Sequence, residues 1–196
     1  LPLRAHRAGQ VDRAQPRRRE VLTTRPDGAP ALPDDHWHYL DAPVGVLVAN
    51  HVRVTEWDRF RALTWGEIVR DHKEVERKDV APLWTFGLVG DSMARRSSSM
   101  THATALVYDF DSKERPVAPA DVLDRMAGIA YWAHTTHSHT DESPRFRVVL
   151  PLDHAIPADQ FGDAWKAVAW ILGIENDVDQ SAKDLCRLSY LPTCSP

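Results

Sequence analysis

The sequence predicts an α+β fold built around an RRM-like, ferredoxin-like sheet with helices packed mainly on one face. Two observations lead to this prediction. From residue 42 onward, strand-like and helix-like segments are interleaved, and one pair of strands is joined as a hairpin. From Ala105 onward, the predicted order is β-α-β-β-α-β, which is close to a split βαβ unit. We therefore expect a mixed sheet with helices packed on it.

The first predicted elements are a strand and a helix. Residues 42–54 are rich in β-branched residues and predict a strand. Residues 64–78 predict a helix, because Thr64 and Glu67 have the spacing of a capping box, in which each side chain can bond the other's backbone N–H. Residues 79–103 predict a loop with short elements.

The second predicted strand, residues 104–111, reads TALVYDFD. Side chains alternate between the two faces of a strand. One face carries the larger apolar residues Leu106, Tyr108 and Phe110. Ala105 and Val107 make the other face apolar as well, so we expect a central strand that is covered on both sides.

Helices and strands alternate over the rest of the chain. Helices are predicted at residues 118–130 and 157–173, and strands at residues 130–136 and 145–152. The second helix has the clearest pattern, with an apolar stripe and Gly173 as its C-terminal cap. The stripe is formed by Phe161, Trp165, Val168 and Leu172. A loop and a short strand are expected after it.

Length and composition fit one compact domain with a tail. The chain has 196 residues, of which 43% are hydrophobic. Residues 1–35 are expected to form a basic, mostly irregular segment, and residues 36–196 the folded domain. Residues 1–30 carry seven arginines against three acidic residues, although the net charge of the chain is -4. This segment fits either a disordered leader or an arm that touches nucleic-acid phosphates.

The composition excludes several classes of protein. The two cysteines, Cys186 and Cys194, are too few for a disulfide framework. No apolar run approaches the roughly 18 residues of a membrane span, and the Arg-rich start is not followed by the apolar region of a signal peptide. We therefore expect a soluble, cytoplasmic protein with no membrane partner. The negative net charge also argues against simple coating of nucleic acid.

Asp109 and Asp111 stand at the end of the second predicted strand. Their i, i+2 spacing places both carboxylates on one face of an extended chain, about 7 Å apart at the Cα atoms. Two carboxylates in this arrangement can share a pair of hard divalent cations such as Mg²⁺. The alternative is an acidic, solvated turn.

A second acidic cluster precedes the last predicted strand. The cluster and its basic neighbours are Asp177, Asp179, Lys183, Asp184 and Arg187. Alone, such a cluster is typical of a solvated turn. A third ligand for a metal at Asp109 and Asp111 would nevertheless have to come from a place like this.

A run of histidines leads into an arginine-bearing strand. The histidines are His134, His137 and His139. Arg145 and Arg147 follow at i, i+2 spacing, which puts both on one strand face, and arginine binds phosphate through paired N–H groups. An exposed turn with an edge strand is one alternative. A His-rich metal site is another, although no fixed ligand spacing such as H-E-x-x-H is present.

Together these segments resemble the archaeo-eukaryotic primase superfamily, and most of all the primase-polymerase domains of phages, plasmids and integrated elements. The family's hhhDhD strand is matched by LVYDFD. Its Ser-x-His turn and following strand are matched approximately by THSHTDESPRFRVVLPL, and its third motif by VDQSAKDLCRLSYLP. The resemblance covers about residues 40–196 and implies a primase palm fold.

The resemblance also implies roles for individual residues. Asp109 and Asp111 would bind the catalytic metals, and Asp179 would complete the metal site. The family binds the phosphates of the incoming nucleotide with the Ser and His of the second motif and with a basic residue after the third. The matching residues here are Ser138, His139 and Arg187. Arg145 or Arg147 stands where the family often has its histidine, so either arginine can take the phosphate role.

The implied activity is that of a DNA-directed primase or polymerase, a nucleotidyltransferase in the replication of a phage or other mobile element. It would synthesise or extend primers on a single-stranded DNA template from nucleoside triphosphates, by phosphoryl transfer with two divalent ions, Mg²⁺ or Mn²⁺. A helicase domain or subunit is a further expected partner.

Two other function classes remain open. A rolling-circle nicking initiator would use the histidines for one metal and Tyr190 or Tyr131 as nucleophile, but it would leave Asp109 and Asp111 without a role. The other class is a non-catalytic, primase-like module that only binds nucleic acid or nucleotide. A covalent protein–DNA adduct after incubation with single-stranded DNA would favour the nicking initiator. Metal-dependent incorporation of nucleotides would separate the binding module from a primase.

Overall fold

The computed structural model describes residues 43–50, 53–70, 73–74, 83–112, 115–190 and 193–194. The predicted irregular segment at residues 1–35 lies outside these ranges. Helices and two larger antiparallel sheets are present in one chain, so the predicted α+β class is confirmed.

The described residues form ten strands and three α-helices. The strands in chain order are β1 (Pro43–Ala49), β2 (Arg59–Thr64), β3 (Lys73–Glu74), β4 (Leu83–Thr85), β5 (Gly87–Val89), β6 (Met100–Phe110), β7 (Trp132–Thr135), β8 (Phe146–Pro157), β9 (Ser189–Tyr190) and β10 (Thr193–Cys194). The helices are α1 (Trp65–Arg70), α2 (Pro119–Arg125) and α3 (Ala158–Ile171). No helix in the described ranges has the length and apolar character needed to cross a membrane.

Two four-stranded sheets form the framework. The first has the order β2-β1-β4-β9 and the second has the order β5-β6-β8-β7. Neighbouring strands are antiparallel in both, and the parallel ladder among the described strands joins β3 to β10. We expected a mixed sheet, but each of these sheets is antiparallel. β6 and β7 run in the same direction, and β8 lies between them and runs the opposite way.

The second sheet contains the predicted split βαβ unit. It consists of β6, α2 and β7, and β8 returns between the two strands and pairs with both. A ferredoxin-like order would place the last strand beside β6, but β5 occupies that position and β9 pairs with β4 of the first sheet. The Thr85 hydroxyl donates to the Leu185 carbonyl at 2.8 Å, which ties the segment before β9 to the first sheet.

Strand β6 is covered on both faces, as its alternating pattern predicts. Leu106, Tyr108 and Phe110 are buried in a core cluster that includes α3. Ala105 is buried in a second cluster with residues of β1 and α1. The central position of β6 fixes the place of Asp109, which lies between Tyr108 and Phe110 on the same strand.

Helix α3 is attached to β6 through Trp165. The indole Nε1 donates to the Val107 carbonyl at 2.7 Å, and the Trp165 carbonyl accepts from the Tyr108 hydroxyl at 2.9 Å. Burial raises the pKa of Tyr108, so the hydroxyl keeps the proton that it donates. The predicted apolar stripe faces the core with Phe161, Trp165, Val168 and Leu172. Gly173 follows the helix with a φ of +64°, as its C-terminal cap requires.

Helix α1 begins with the predicted capping box. The Thr64 N–H donates to Glu67 Oε2 at 2.7 Å, and the Glu67 N–H donates to Thr64 Oγ1 at 3.2 Å. The helix is shorter than the predicted one, because it ends at Arg70 and Lys73–Glu74 form β3 beside β10. Pairing with a segment far away in the sequence here outweighs local helix propensity.

Candidate functional site

Asp109 on β6 lies directly opposite Arg147 on β8. Arg147 Nη2 is 2.7 Å from Asp109 Oδ2, and only 7% of the Arg147 side chain and 14% of the Asp109 side chain are exposed. Two opposite charges interact more strongly here than at the surface, because little water screens them. Arg147 is thus the counter-ion of the first carboxylate in the D-x-D motif.

Arg147 also connects the two sheets. Its Nη1 donates to the carbonyl of Tyr190 at 2.9 Å, and Tyr190 belongs to β9 at the edge of the first sheet. On its other side, Arg147 lies opposite His134 of β7. Asp109, Arg147 and His134 therefore form a cross-strand row over β6, β8 and β7. The His134 ring packs on Trp132 with 4.8 Å between the ring centroids.

The ion pair leaves one polar atom of each partner without a hydrogen bond from the described chain. These atoms are Asp109 Oδ1 and Arg147 Nε, and both are buried. Buried polar atoms normally have a partner. A ligand that combines a cation with an anion, such as a metal ion with a phosphate, would satisfy both atoms.

Asp179 reaches the same end of β6 through its backbone. Strand β5 pairs with β6 only as far as Ala103, so later backbone groups on that edge need other partners. The Asp179 N–H donates to the Asp109 carbonyl at 2.8 Å. The late acidic cluster therefore meets the D-x-D strand because it covers the open edge of β6.

The Asp179 carboxylate is held by local contacts. It accepts from the N–H and the hydroxyl of Ser181, at 2.8 and 2.6 Å, and Arg187 Nη2 lies 3.4 Å away. Burial raises the pKa of Asp179, but the Ser181 hydrogen bonds and the Arg187 charge outweigh burial, so the pKa lies below its ordinary value. Asp179 is thus an ionised carboxylate that caps the 3-10 turn Gln180–Lys183.

A small cavity lies between β6 and the segment before β9. It is lined by Arg187 and Ser189 together with Ala105 and Val107 of β6, and its volume of about 10 Å³ is too small for a nucleotide. About half of the Arg187 side chain, 51%, is exposed. Its guanidinium group is therefore accessible to a ligand at the surface.

Asp111 lies one residue beyond the end of β6 and is exposed. Among the residues that the structure describes, no three His, Cys, Asp or Glu side chains are arranged to hold a metal ion. Mg²⁺ is commonly bound by one or two carboxylates, with water and phosphate oxygens completing its shell. The buried Asp109 Oδ1 and the exposed carboxylate of Asp111 fit a site of that kind.

The second-motif residues Ser138 and His139 lie in the turn between β7 and β8. The Arg145 N–H donates to His139 Nδ1 at 3.1 Å, so this ring helps to close the turn. Ser138 is exposed, and Arg145 precedes β8 instead of lying within it. Of the two arginines, Arg147 is the one that enters the cross-strand row.

The sequence indicated His134 only within a His-rich metal site and Tyr190 only as a nucleophile, and it did not indicate Ser181. The places of His134 and of the Tyr190 carbonyl in this cluster depend on strand register and on the placement of β9, which the sequence does not reveal. Ser181 could have been found, because an Asp followed at i+2 by Ser is typical of a turn capped by the Asp side chain.

Comparison with known proteins identifies the family. The family model for the VapE N-terminal domain matches residues 42–196, which include every residue of the candidate site. No match was found among curated protein sequences. A solved structure with some likeness is the AEP domain of the cyanophage S-2L primase-polymerase (PrimPol), at 10% identity and a TM-score of 0.43, over 76% of this chain and 72% of that chain. The chain belongs to the VapE N-terminal domain family.

Proposed function

We propose that this chain is the catalytic domain of a primase-polymerase, a nucleotidyltransferase that synthesises or extends primers on a DNA template. The observation that carries the proposal is a convergence at one end of β6. The three segments that resemble primase motifs contribute Asp109, Arg147 and Asp179 to that place. The ion pair of Asp109 with Arg147 and its backbone bond with Asp179 make this a preformed cluster of charged groups.

The carboxylates of the cluster would hold two divalent ions, Mg²⁺ or Mn²⁺. Asp109 offers a buried Oδ1 that lacks a partner in the described chain, and Asp111 offers an exposed carboxylate next to the same strand. Asp179 would complete the set by turning its side chain from Ser181 toward Asp109. Ions bound there would supply the charge that activates the attacking hydroxyl and stabilises the leaving pyrophosphate.

The arginines of the cluster would bind the triphosphate. Arg147 is held in place by the Tyr190 carbonyl, and its buried Nε has no partner in the described chain, so it can donate to a phosphate oxygen. Arg187, whose side chain is half exposed, would reach the phosphates from the surface. Ser138, His139 and Arg145 would approach from the turn between β7 and β8.

The proposed substrates are nucleoside triphosphates and single-stranded DNA, in the replication of a phage or other mobile element. A helicase, as a further domain or as a separate subunit, would expose the template. Phosphoryl transfer depends mainly on positioning and on neutralising charge. Asp109 and Arg147 suit this task, because they lie on adjacent strands and strands hold side chains more rigidly than loops do.

One observation favours a second candidate, a module that binds nucleotide or nucleic acid without catalysis. Asp109 is already neutralised by Arg147 at 2.7 Å. A carboxylate with a buried counter-ion does not need a metal ion for stability. In that case Arg147 and Arg187 would bind phosphates while Asp109 kept Arg147 in position.

A priming assay distinguishes the two candidates. The protein is incubated with single-stranded DNA, Mg²⁺ or Mn²⁺, and labelled ribo- or deoxynucleoside triphosphates, with and without a primer. The catalytic proposal predicts a labelled polymer that disappears when EDTA removes the metal. Nucleotide binding without any polymer, under all of these conditions, would support the non-catalytic module instead.

A further inference from the structure

The edge strand of the first sheet carries two exposed arginines. Arg59 and Arg61 lie on β2, opposite Val48 and Val46 of β1, so both project from the same face. They are about 7 Å apart at the Cα atoms. Within the described part of the chain, no strand pairs with the outer edge of β2.

An exposed aromatic ring lies on the other face of the same strand. Phe60 is paired with Leu47 of β1 and projects from the face opposite to the two arginines, so DNA can meet all three side chains by running along the open edge of β2. Phe60 is 47% exposed, and among the aromatic side chains in the described ranges only Trp170 is more exposed. Its ring leans over Gly45, because a Cβ added there would come within 3.2 Å of the ring. One side of the ring therefore rests on the sheet and the other remains accessible.

The basic surface continues beyond β2. The segment that carries Arg95 and Arg96 lies against the turn that leads to β2, since the Arg95 N–H donates to the Thr55 carbonyl at 2.8 Å. Two exposed acids, Glu56 and Asp58, lie in that turn and offset part of this charge. Set against Arg59, Arg61, Arg95 and Arg96, they leave a local excess of positive charge on a chain whose net charge is -4.

We propose that this basic edge, consisting of Arg59, Phe60 and Arg61, is a contact surface for single-stranded DNA. Arginine forks bind backbone phosphates, and an exposed ring offers a face on which a base can stack. The proposal rests on the proposed function only in naming this DNA as the template strand.

The position of the basic edge relative to the catalytic cluster agrees with this role. β2 and β9 are the two edges of the same sheet, three strand spacings or about 14 Å apart. The Tyr190 carbonyl of β9 accepts from Arg147 of the cross-strand row. DNA bound along β2 would therefore be held by the same sheet that supports the cluster.

Charged residues on an edge strand also have a simpler role, because they prevent edge-to-edge pairing between molecules. That role requires charge of either sign, whereas binding of phosphates requires positive charge. Replacing Arg59 and Arg61 by Glu therefore separates the two explanations. The edge stays charged, but it repels DNA.

The test measures fluorescence anisotropy of a labelled oligothymidine of about 20 nucleotides, at about 50 and 200 mM NaCl. The proteins are the wild type, the double variant Arg59→Glu/Arg61→Glu, Phe60→Ala, and the control Lys166→Glu on α3, an exposed residue of the second sheet's helix. We expect the double variant to bind at least about 10-fold more weakly. The slope of the logarithm of its binding constant against the logarithm of the salt concentration should fall in magnitude by about 1.4, since two phosphate contacts are lost. Phe60→Ala should weaken binding by about 10-fold.

Size-exclusion chromatography checks that the double variant does not aggregate. We expect it to remain monodisperse, because its edge strand still carries charges. Weaker binding by a monodisperse variant then reports the loss of a DNA contact. Binding and a salt slope equal to those of Lys166→Glu would overturn the basic edge as a DNA surface. If no protein incorporates nucleotides but binding still depends on Arg59 and Arg61, the DNA surface stands and the catalytic proposal fails.

Discussion

Asp109 and Arg147 face each other on adjacent strands, with 2.7 Å between Asp109 Oδ2 and Arg147 Nη2. The same guanidinium group donates to the Tyr190 carbonyl of the first sheet. One side chain therefore serves as a counter-ion and as a link between sheets. Loss of Arg147 should affect the stability of the fold, whereas loss of the exposed Asp111 should affect only the activity that we propose.

Arg147→Met should destabilise the protein strongly. It leaves Asp109 as a buried, unpaired carboxylate and removes the donor to the Tyr190 carbonyl. We expect the free energy of unfolding at neutral pH to fall by about 3–5 kcal/mol, as measured by urea denaturation. The double variant Asp109→Asn/Arg147→Met should recover part of this loss, because the buried charge is gone. A loss below about 1 kcal/mol for the single variant would show that the pair is not a buried ion pair in solution.

Asp111→Asn should leave stability unchanged and remove activity. Asp111 is exposed beyond the end of β6, and surface substitutions usually change stability by less than about 0.5 kcal/mol. We expect the variant to unfold at the same urea midpoint as the wild type. We also expect it to show no metal-dependent incorporation of nucleotides. Full activity in this variant would remove Asp111 from the proposed metal site.

Ser181→Ala should weaken the protein in a pH-dependent way. Because the pKa of Asp179 is lowered in the folded state, its ionised form stabilises the fold above the unfolded pKa of about 3.9. That stabilisation is lost as the pH falls through the lower, folded pKa. Removing the Ser181 hydroxyl should raise the pKa of Asp179, as seen by NMR titration of its carboxyl carbon. The stability difference from wild type should be present at pH 7 and shrink below about pH 4; a difference independent of pH would contradict the assignment.

Thr64→Ala should cost about 1 kcal/mol of stability, because it removes the side-chain acceptor of the Glu67 N–H at the start of α1. Thr64→Ser keeps that oxygen and serves as the matched control. Urea denaturation of the two variants checks the prediction. Equal stability of Thr64→Ala and Thr64→Ser would mean that the capping box contributes nothing.

Local patterns predicted much of this fold. The capping box at Thr64 and the apolar stripe around Trp165 are set by residues three or four positions apart, so the sequence displays them directly. The alternation along β6 likewise follows from the geometry of a single strand. Each of these features is present in the structure.

Contacts between distant segments could not be predicted in the same way. Whether Arg147 faces Asp109 depends on the register of β8 against β6, and a shift of one residue would place it on the other face. β9 joins the first sheet instead of the second, and β3 replaces the end of a predicted helix, because their partners lie far away in the sequence. The motifs indicated which residues belong to the candidate site, and the register shows which of them meet.

The most direct test of the account compares nucleotide incorporation by Asp109→Asn, the control Asp124→Asn on the exposed surface of α2, and the wild type. Asparagine keeps an oxygen that can accept from Arg147, so we expect Asp109→Asn to remain folded by circular dichroism. We predict metal-dependent polymer from the wild type and from Asp124→Asn, and none from Asp109→Asn. Polymer formed by folded Asp109→Asn at the wild-type rate would contradict a catalytic site at the end of β6.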